Sequence, residues 1–220
     1  MKEQNISLRN QALGEQIAHE LRVQIITAAI APGTPLVEDT LAETFDTSRG
    51  PVRDALRELE LEGLVERGPS RRGGLVVKGL SSRDITELYA LREAMEGLAV
   101  RLASGRSGAD WSRALRAITD LREAADSGDA LAFAGFDMDF HTQLYEQSGN
   151  HRLVRVWEQF RPTFAVMLNV TTAQDRDLHP SAEAHVELLD AIQRGDGEVA
   201  VTMLSAHLLG SSIRLRTALG

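Results

Sequence analysis

The stretch Thr47-Ser48-Arg49-Gly50-Pro51-Val52-Arg53-Asp54-Ala55-Leu56-Arg57 constrains the fold of this chain more than any other. Ser48 suits the N-cap of a helix, and Pro51 suits its first turn, where a missing N–H loses no hydrogen bond. Arg49, Arg53 and Arg57 recur every fourth residue and, at about 100° per residue, stay within a stripe roughly 80° wide. Val52, Ala55, Leu56 and Leu59 fall largely on the other side and can anchor the helix in a core. A helix that is cationic on one face and apolar on the opposite one is suited to the major groove of DNA. Arginines at this spacing also occur on ordinary solvated faces, so the flanking sequence has to decide.

Upstream, Leu13 to Ala29 reads as a helix with Ile17, Leu21, Ile25 and Ile26 on one stripe, stopped by Ala31-Pro32-Gly33-Thr34-Pro35. A short helix follows with Leu41, Ala42 and Phe45 inward, and Asp46-Thr47 turns the chain into the arginine helix. Two helices joined by so short a turn are a helix-turn-helix. Gly63 serves as a C-cap. Leu64–Arg67 and Leu75–Lys78 then read as two strands flanking a basic, turn-rich tip, Gly68-Pro69-Ser70-Arg71-Arg72-Gly73-Gly74. Helix, turn, helix and basic hairpin describe a winged helix. Its tip is placed to reach the minor groove or the phosphates, where arginine is favoured, although a plain loop carrying two arginines has the same composition.

The net charge of −8 argues against a generic polyanion binder, so DNA contact has to come from this local patch. The chain has no cysteine, which excludes disulfides and thiolate metal sites. No apolar run approaches the ~20 residues of a membrane span, and Met1 to Asn10 carries no signal-peptide core. A cytoplasmic protein without membrane contact is expected.

After a short polar linker, Leu80-Ser81-Ser82-Arg83, every segment reads as helix. The segments are Asp84–Ser104 (Ile85, Leu88, Leu91, Met95, Leu98 and Leu102 at helical spacing), Trp111–Ala125 (Leu115, Ile118, Leu121), a helix capped by Asp129 and ending at Gly149, and one capped by Asn150 that carries Pro162. A polar loop from Asp175 to Pro180 precedes the last two helices, Ser181–Gly195 and Glu198–Arg216. The expected fold is mainly α, an N-terminal winged helix-turn-helix over residues 1–79 followed by an antiparallel all-helical bundle over residues 80–220.

Four bundle residues stand out. Asp137 and His141 are four apart on one helix and project from the same face beside Phe136, Met138 and Phe140. His185 and His207 lie on the last two helices, and their midpoint, residue 196, falls in the Gly195-Asp196-Gly197 turn. In an antiparallel hairpin, residues equidistant from the turn sit at the same height. Three imidazoles and a carboxylate suit a divalent metal, zinc first, with nickel or manganese as the alternatives. A single buried histidine is more often a satisfied core residue, and it is the symmetric placement of two more that favours a metal. His19, His151 and His179 have no comparable partners and are expected at the surface.

The run Leu41-Ala42, Ser48-Arg49-x-Pro51-Val52-Arg53-x-Ala55-Leu56 and Leu59-x-x-x-Gly63-Leu64-Val65 resembles the winged-helix domain of GntR-type bacterial transcription regulators. The resemblance implies operator contacts from Ser48, Arg49, Arg53 and the Arg72-Gly73 pair, with Gly50 and Arg57 on the same helix surface. Gly50 stands where threonine or alanine is usual in that family, and the longer wing lets Arg71 take the tip role. Asp137-x-x-Phe140-His141 followed by His185 and His207, with Leu91-Arg92-x-x-x-Glu96, resembles the all-helical FCD effector domain of the FadR subgroup. That resemblance implies a divalent cation on Asp137, His141, His185 and His207, a small carboxylate completing its coordination, and Arg92 as a second effector anchor or a salt-bridged arginine. It also implies a homodimer on a palindromic double-stranded operator, repressing until the effector binds. Two alternatives stay open: a purely structural metal, and a metal-dependent hydrolase, for which Asp139 and Glu183 are near in sequence but no general base is evident.

Overall fold

Helix α1 (Lys2–Ile26) begins well before its apolar periodicity does, so a polar first half precedes the expected start at Leu13. In this computed structural model, which describes residues 2–69 and 74–219, the chain divides into two units, Met1–Ser81 and Ser82–Gly220. The fold is mainly helical, with a small three-stranded sheet in the first unit.

In the first unit α1 ends at Ile26, short of the expected Ala29, because Ala28 takes a left-handed conformation, φ +57°. Strand β1 (Pro35–Leu36), helix α2 (Glu38–Thr44) and helix α3 (Arg49–Leu61) follow, then strands β2 (Val65–Arg67) and β3 (Leu75–Val77). Ile17, Leu21 and Ile25 of α1 and Val52, Ala55, Leu56 and Leu59 of α3 form the core. Gly14 lets the two helices close: a Cβ there would lie 3.3 Å from the Pro51 carbonyl oxygen. Arg22, 1 % exposed, fastens α1 to the end of α3. Its Nε donates to Glu62 at 2.8 Å, and its Nη2 donates to Glu62 and Glu58 at 2.6 and 2.7 Å. Gly63 (φ +75°) closes α3 in a Schellman arrangement, in which Gly63 N–H donates to the Glu60 carbonyl and Leu64 N–H to that of Leu59.

The sheet order is β1-β3-β2, antiparallel throughout, with Glu66 opposite Val76 and Pro35 also opposite Val76. The sequence reading expected the second and third strands and treated Pro35 only as part of a helix stop. A two-residue strand is too short to show alternation and exists through its partner β3.

The second unit consists of α4 (Ser82–Ala103), α5 (Ser112–Ser127), α6 (Ala130–Gln147), α7 (His151–Thr172), α8 (His179–Gln193) and α9 (Gly197–Leu219). The caps fall where expected: Asp129 Oδ1 accepts the Ala132 N–H at 3.0 Å, and Asn150 Oδ1 accepts those of Arg152 and Leu153 at 3.1 and 3.3 Å. Pro162 lies inside an unbroken α7. Helix α8 starts at His179, earlier than the expected Ser181, with Pro180 in its first turn. Helix α4 packs on α6 and, antiparallel, on α9, where Tyr89 Oη meets Ser211 Oγ at 2.9 Å and Arg101 pairs with Glu198.

One expected face is partly rotated. Ile85 and Met95 of α4 are buried as expected, but Leu91, Leu98 and Leu102 are 38, 43 and 42 % exposed, and Tyr89, Arg92, Glu96, Ala99 and Ala103 point inward in their place. Helix α4 has two stripes at helical spacing, and the buried one is the stripe that carries an arginine and a glutamate. Leu115 of α5 is likewise exposed, unlike Ile118 and Leu121. Among the described residues no helix is long and apolar enough to cross a membrane.

Candidate metal centre and nucleic-acid interface

Helix α6 presents Asp137, His141 and Tyr145 one turn apart on its inner face. Helix α8 supplies His185 and α9 supplies His207. One ligand atom from each of Asp137, His141, His185 and His207 lies within 4.8 Å of all the others. The first three residues are buried and His207 is half-buried. The His185 and His207 rings are 4.7 Å apart at their centroids, and His141 is 5.4 and 5.5 Å from them. The level placement read from the Gly195 turn is therefore the arrangement found.

Hydrogen bonds at the far side of the His185 and His141 rings set which nitrogen faces inward. His185 Nδ1–H donates to the Ser181 carbonyl, one turn back on α8, at 2.6 Å. His141 Nδ1 lies 2.6 Å from Glu96 Oε2. Both rings then turn a lone pair at Nε2 toward Asp137. His185 Nε2 is 3.2 Å from Asp137 Oδ2 and His141 Nε2 is 3.5 Å from Oδ1, yet neither is aligned for a hydrogen bond, and both remain buried without a partner. Two unsatisfied nitrogens converging on a carboxylate are a donor set that fits a divalent cation.

The protonation states also fit. Burial opposes ionisation of Asp137, but the imidazoles of His185 and His141 around it, whenever they carry a proton, outweigh burial and hold its pKa far below the carboxylate range. Loss of water, reinforced by His185 and His141, pushes the His207 pKa well below 6.5. An ionised carboxylate and a neutral imidazole are ready to ligate with no proton to displace.

Arg92 adjoins this cluster, 2 % exposed. Its Nε donates to Glu96 Oε1 at 2.6 Å, and its guanidinium lies 5.1 Å from the centroid of Phe164 and 5.6 Å from that of Trp157. The Arg92 Nη2 and Tyr145 Oη are buried with no hydrogen-bond partner. Glu96 entered the sequence reading only as a partner for Arg92, and Tyr145 was missed. The readable signal for Tyr145 was its place four residues after His141, on the face of Asp137. His19 and His151 are exposed as expected. His179 is also exposed as expected and lies between Asp177 and Asp126 at 2.7 and 3.0 Å.

In the first unit Ser48, Arg49, Gly50, Arg53 and Arg57 are all exposed. Ser48 occupies the N-cap position, but its side chain makes no capping hydrogen bond, contrary to the expected cap. A Cβ on Gly50 would have only Ser48 Oγ nearby, at 3.9 Å, so this surface is open to close approach. Arg53 forks onto Glu38 of α2 through Nε and Nη2 at 3.2 and 2.8 Å, and Arg49 Nε pairs with Asp39. A groove of about 690 Å³ between α3 and the hairpin is lined by Arg53, Arg57 and Arg67 among others. The expected tip contacts Arg71, Arg72 and Gly73 lie outside the described residues.

Residues 13–77 match the family model of bacterial regulatory proteins of the gntR family, and residues 87–210 match that of the FCD domain. The chain is 30 % identical to the "Probable D-xylose utilization operon transcriptional repressor" of Paenarthrobacter nicotinovorans, over 91 % of this chain and 88 % of that one. A GntR-family transcriptional regulator from Pseudomonas syringae pv. tomato has a solved structure with a TM-score of 0.55 and 28 % identity, covering 94 % of this chain and 86 % of that one. Escherichia coli McbR/YncC shares the fold, with a TM-score of 0.70 at 23 % identity over 94 % of this chain and 99 % of that one. These domains and relatives are those of transcription regulators, not of enzymes.

Proposed function

We propose, for a chain that belongs to the GntR family of bacterial regulatory proteins, carries an FCD domain and is thus a DNA-binding transcription regulator, that its operator affinity is set by a small carboxylate held at a divalent cation in the second unit. The observation that carries this reading is the convergence of Asp137, His141, His185 and His207 within 4.8 Å, with two buried ring nitrogens unsatisfied. When bound, zinc, or nickel or manganese in its place, supplies a positive centre for an anionic ligand. The chain's own residues support a single carboxylate. With a divalent cation added, Arg92, Glu96 and Asp137 leave one net positive charge in a buried site, and one monoanion neutralises it. Arg92 Nη2 is the free donor that meets it as effector anchor.

At the DNA, Arg49, Arg53 and Arg57 of α3 read the major groove, Ser48 and Gly50 allow close approach at the start of the helix, and Arg71, Arg72 and Gly73 act at the wing. The protein acts as a homodimer on a palindromic operator, in the cytoplasm and away from membranes. The exposed Leu91, Leu98 and Leu102 follow one stripe of α4, and Leu209 and Ile213 of α9 are 59 and 48 % exposed, an apolar surface suited to a second copy. A carboxylate that prefers one arrangement of the paired winged helices shifts DNA binding, and repression relieved by the effector is the outcome that the repressor relative favours.

A thermal-shift screen of small carboxylates on cation-loaded and chelated protein tests this. A ligand at about 100 times its Kd adds about 2.7 kcal/mol, and it should do so only in the loaded form. A purely structural cation is the second reading, favoured by four protein ligands of which three are buried. Stabilisation by the cation with no response to any carboxylate would select it.

A further inference from the structure

We propose that Glu96 is a positioning residue that serves both halves of the site, holding His141 as a nitrogen ligand with one carboxylate oxygen and aiming Arg92 with the other. This rests on the reading above. Glu96 is 0 % exposed, so no water competes for either oxygen. Its Oε2 stands 2.6 Å from His141 Nδ1, on α6, and its Oε1 accepts the Arg92 Nε–H, on its own helix, at 2.6 Å. Donation from Nδ1 leaves the lone pair on His141 Nε2, facing Asp137 and His185. Occupation of the Arg92 Nε edge, with the guanidinium against the Trp157 and Phe164 rings, leaves Nη2 free.

A simple stabilising ion pair would look different. An i,i+4 pair on one helix needs only one carboxylate oxygen, yet the second is committed to a histidine on another helix. A pair built for stability would also satisfy the arginine, yet Arg92 keeps a buried donor without an acceptor, which is unfavourable unless a ligand completes it. His185 shows that this fold orients an imidazole with a backbone carbonyl when nothing more is required.

The chemistry of an amide at position 96 gives the test. Both neighbours of Glu96 are donors, so a carboxylate satisfies both, whereas a carboxamide accepts from one and presents N–H to the other. The probe is cobalt(II) alone on the full chain. Its affinity is measured by chelator competition, its visible d–d bands report the ligand field, and acetate titrated onto the loaded protein probes the anion anchor. Glu96→Gln is expected to bind cobalt(II) about 10–100-fold more weakly, the usual effect of losing an outer partner of a ligand, or to keep cobalt(II) and lose the acetate response.

Because Glu96→Gln leaves Arg92 without its counter-charge and can fail to fold, two double variants decide the matter against Arg92→Met alone. Arg92→Met with Glu96→Gln frees the amide oxygen to turn to His141, and cobalt(II) affinity should match that of Arg92→Met. Arg92→Met with Glu96→Leu removes the acceptor and should lose about 10–100-fold. If the leucine double variant binds cobalt(II) with the affinity and d–d bands of Arg92→Met, Glu96 has only a structural role and the inference is overturned while the metal reading stands. If the wild-type chain binds no cobalt(II), the metal reading itself falls and takes this one with it.

Discussion

Asp137, with 2 % of its surface in water, has its pKa held low against burial by the charge that the His185 and His141 imidazoles carry when protonated. Replacing it with asparagine removes the anionic ligand and keeps the volume. If the proposed cation site is real, Asp137→Asn should retain its fold and, once loaded with a divalent cation, lose it on dialysis where wild type keeps it, with elemental analysis as the readout, and His141→Ala should do the same. The protonation states make a second prediction for the chelated protein. His207 is held neutral in the fold, and its pKa returns to about 6.5 when the chain unfolds. The unfolded state therefore binds the extra proton, and the stability that the neutral ring provides is complete above that pH and lost as pH falls. Asp137, also depressed, adds to the loss below its unfolded value near 3.8. Melting temperature should fall on acidification from about pH 7 to 5, and His207→Gln should flatten that slope. A slope unchanged by the substitution would contradict the assignment.

At the level of the elements, α2 and α3 act together. Glu38 takes the Nε and Nη2 side of Arg53, which leaves the outer Nη1 corner of that guanidinium turned from the carboxylate, and Asp39 takes the Nε of Arg49. A guanidinium held from one side is oriented for a guanine edge. Arg53→Ala should weaken operator binding by about 1–3 kcal/mol and relax sequence preference at one position. Glu38→Gln should lower the ratio of specific to non-specific affinity while leaving the salt dependence close to that of wild type, measured by fluorescence anisotropy across salt. The exposed pair itself adds little to stability.

The same elements show what the sequence made legible. The arginine helix, its glycine end and the paired histidines follow from spacing and turn chemistry, which are local. On α4 the spacing finds Ile85 and Met95 but also points Leu91, Leu98 and Leu102 inward, because two of its stripes are apolar and only packing on α6 and α9 decides which is buried. That decision placed Arg92 and Glu96 in the interior. The short β1 strand and the free Tyr145 hydroxyl are tertiary facts with no local signature beyond a two-residue segment and a four-residue spacing.

At the scale of the molecule, an overall charge of −8 is combined with a cationic stripe on one helix. In the proposed homodimer, operator binding depends on presenting two such helices at a fixed spacing, and the Leu91/Leu98/Leu102 surface is the proposed means. Leu98→Glu, in the middle of that stripe, should give a monomer by light scattering. It should take up a divalent cation as wild type does and lose most of its operator affinity, because a single half-site forfeits the gain from simultaneous engagement.

The buried clasp from Arg22 to Glu58 and Glu62, with Gly14 set against Pro51, has a thermodynamic consequence. It joins α1 and the recognition helix into one body before any operator is met. Conformational entropy that a floppy reader would surrender on contact is already lost during folding. Docking of α3 should thus proceed without local refolding, and the heat-capacity change of association should reflect the contact surface alone.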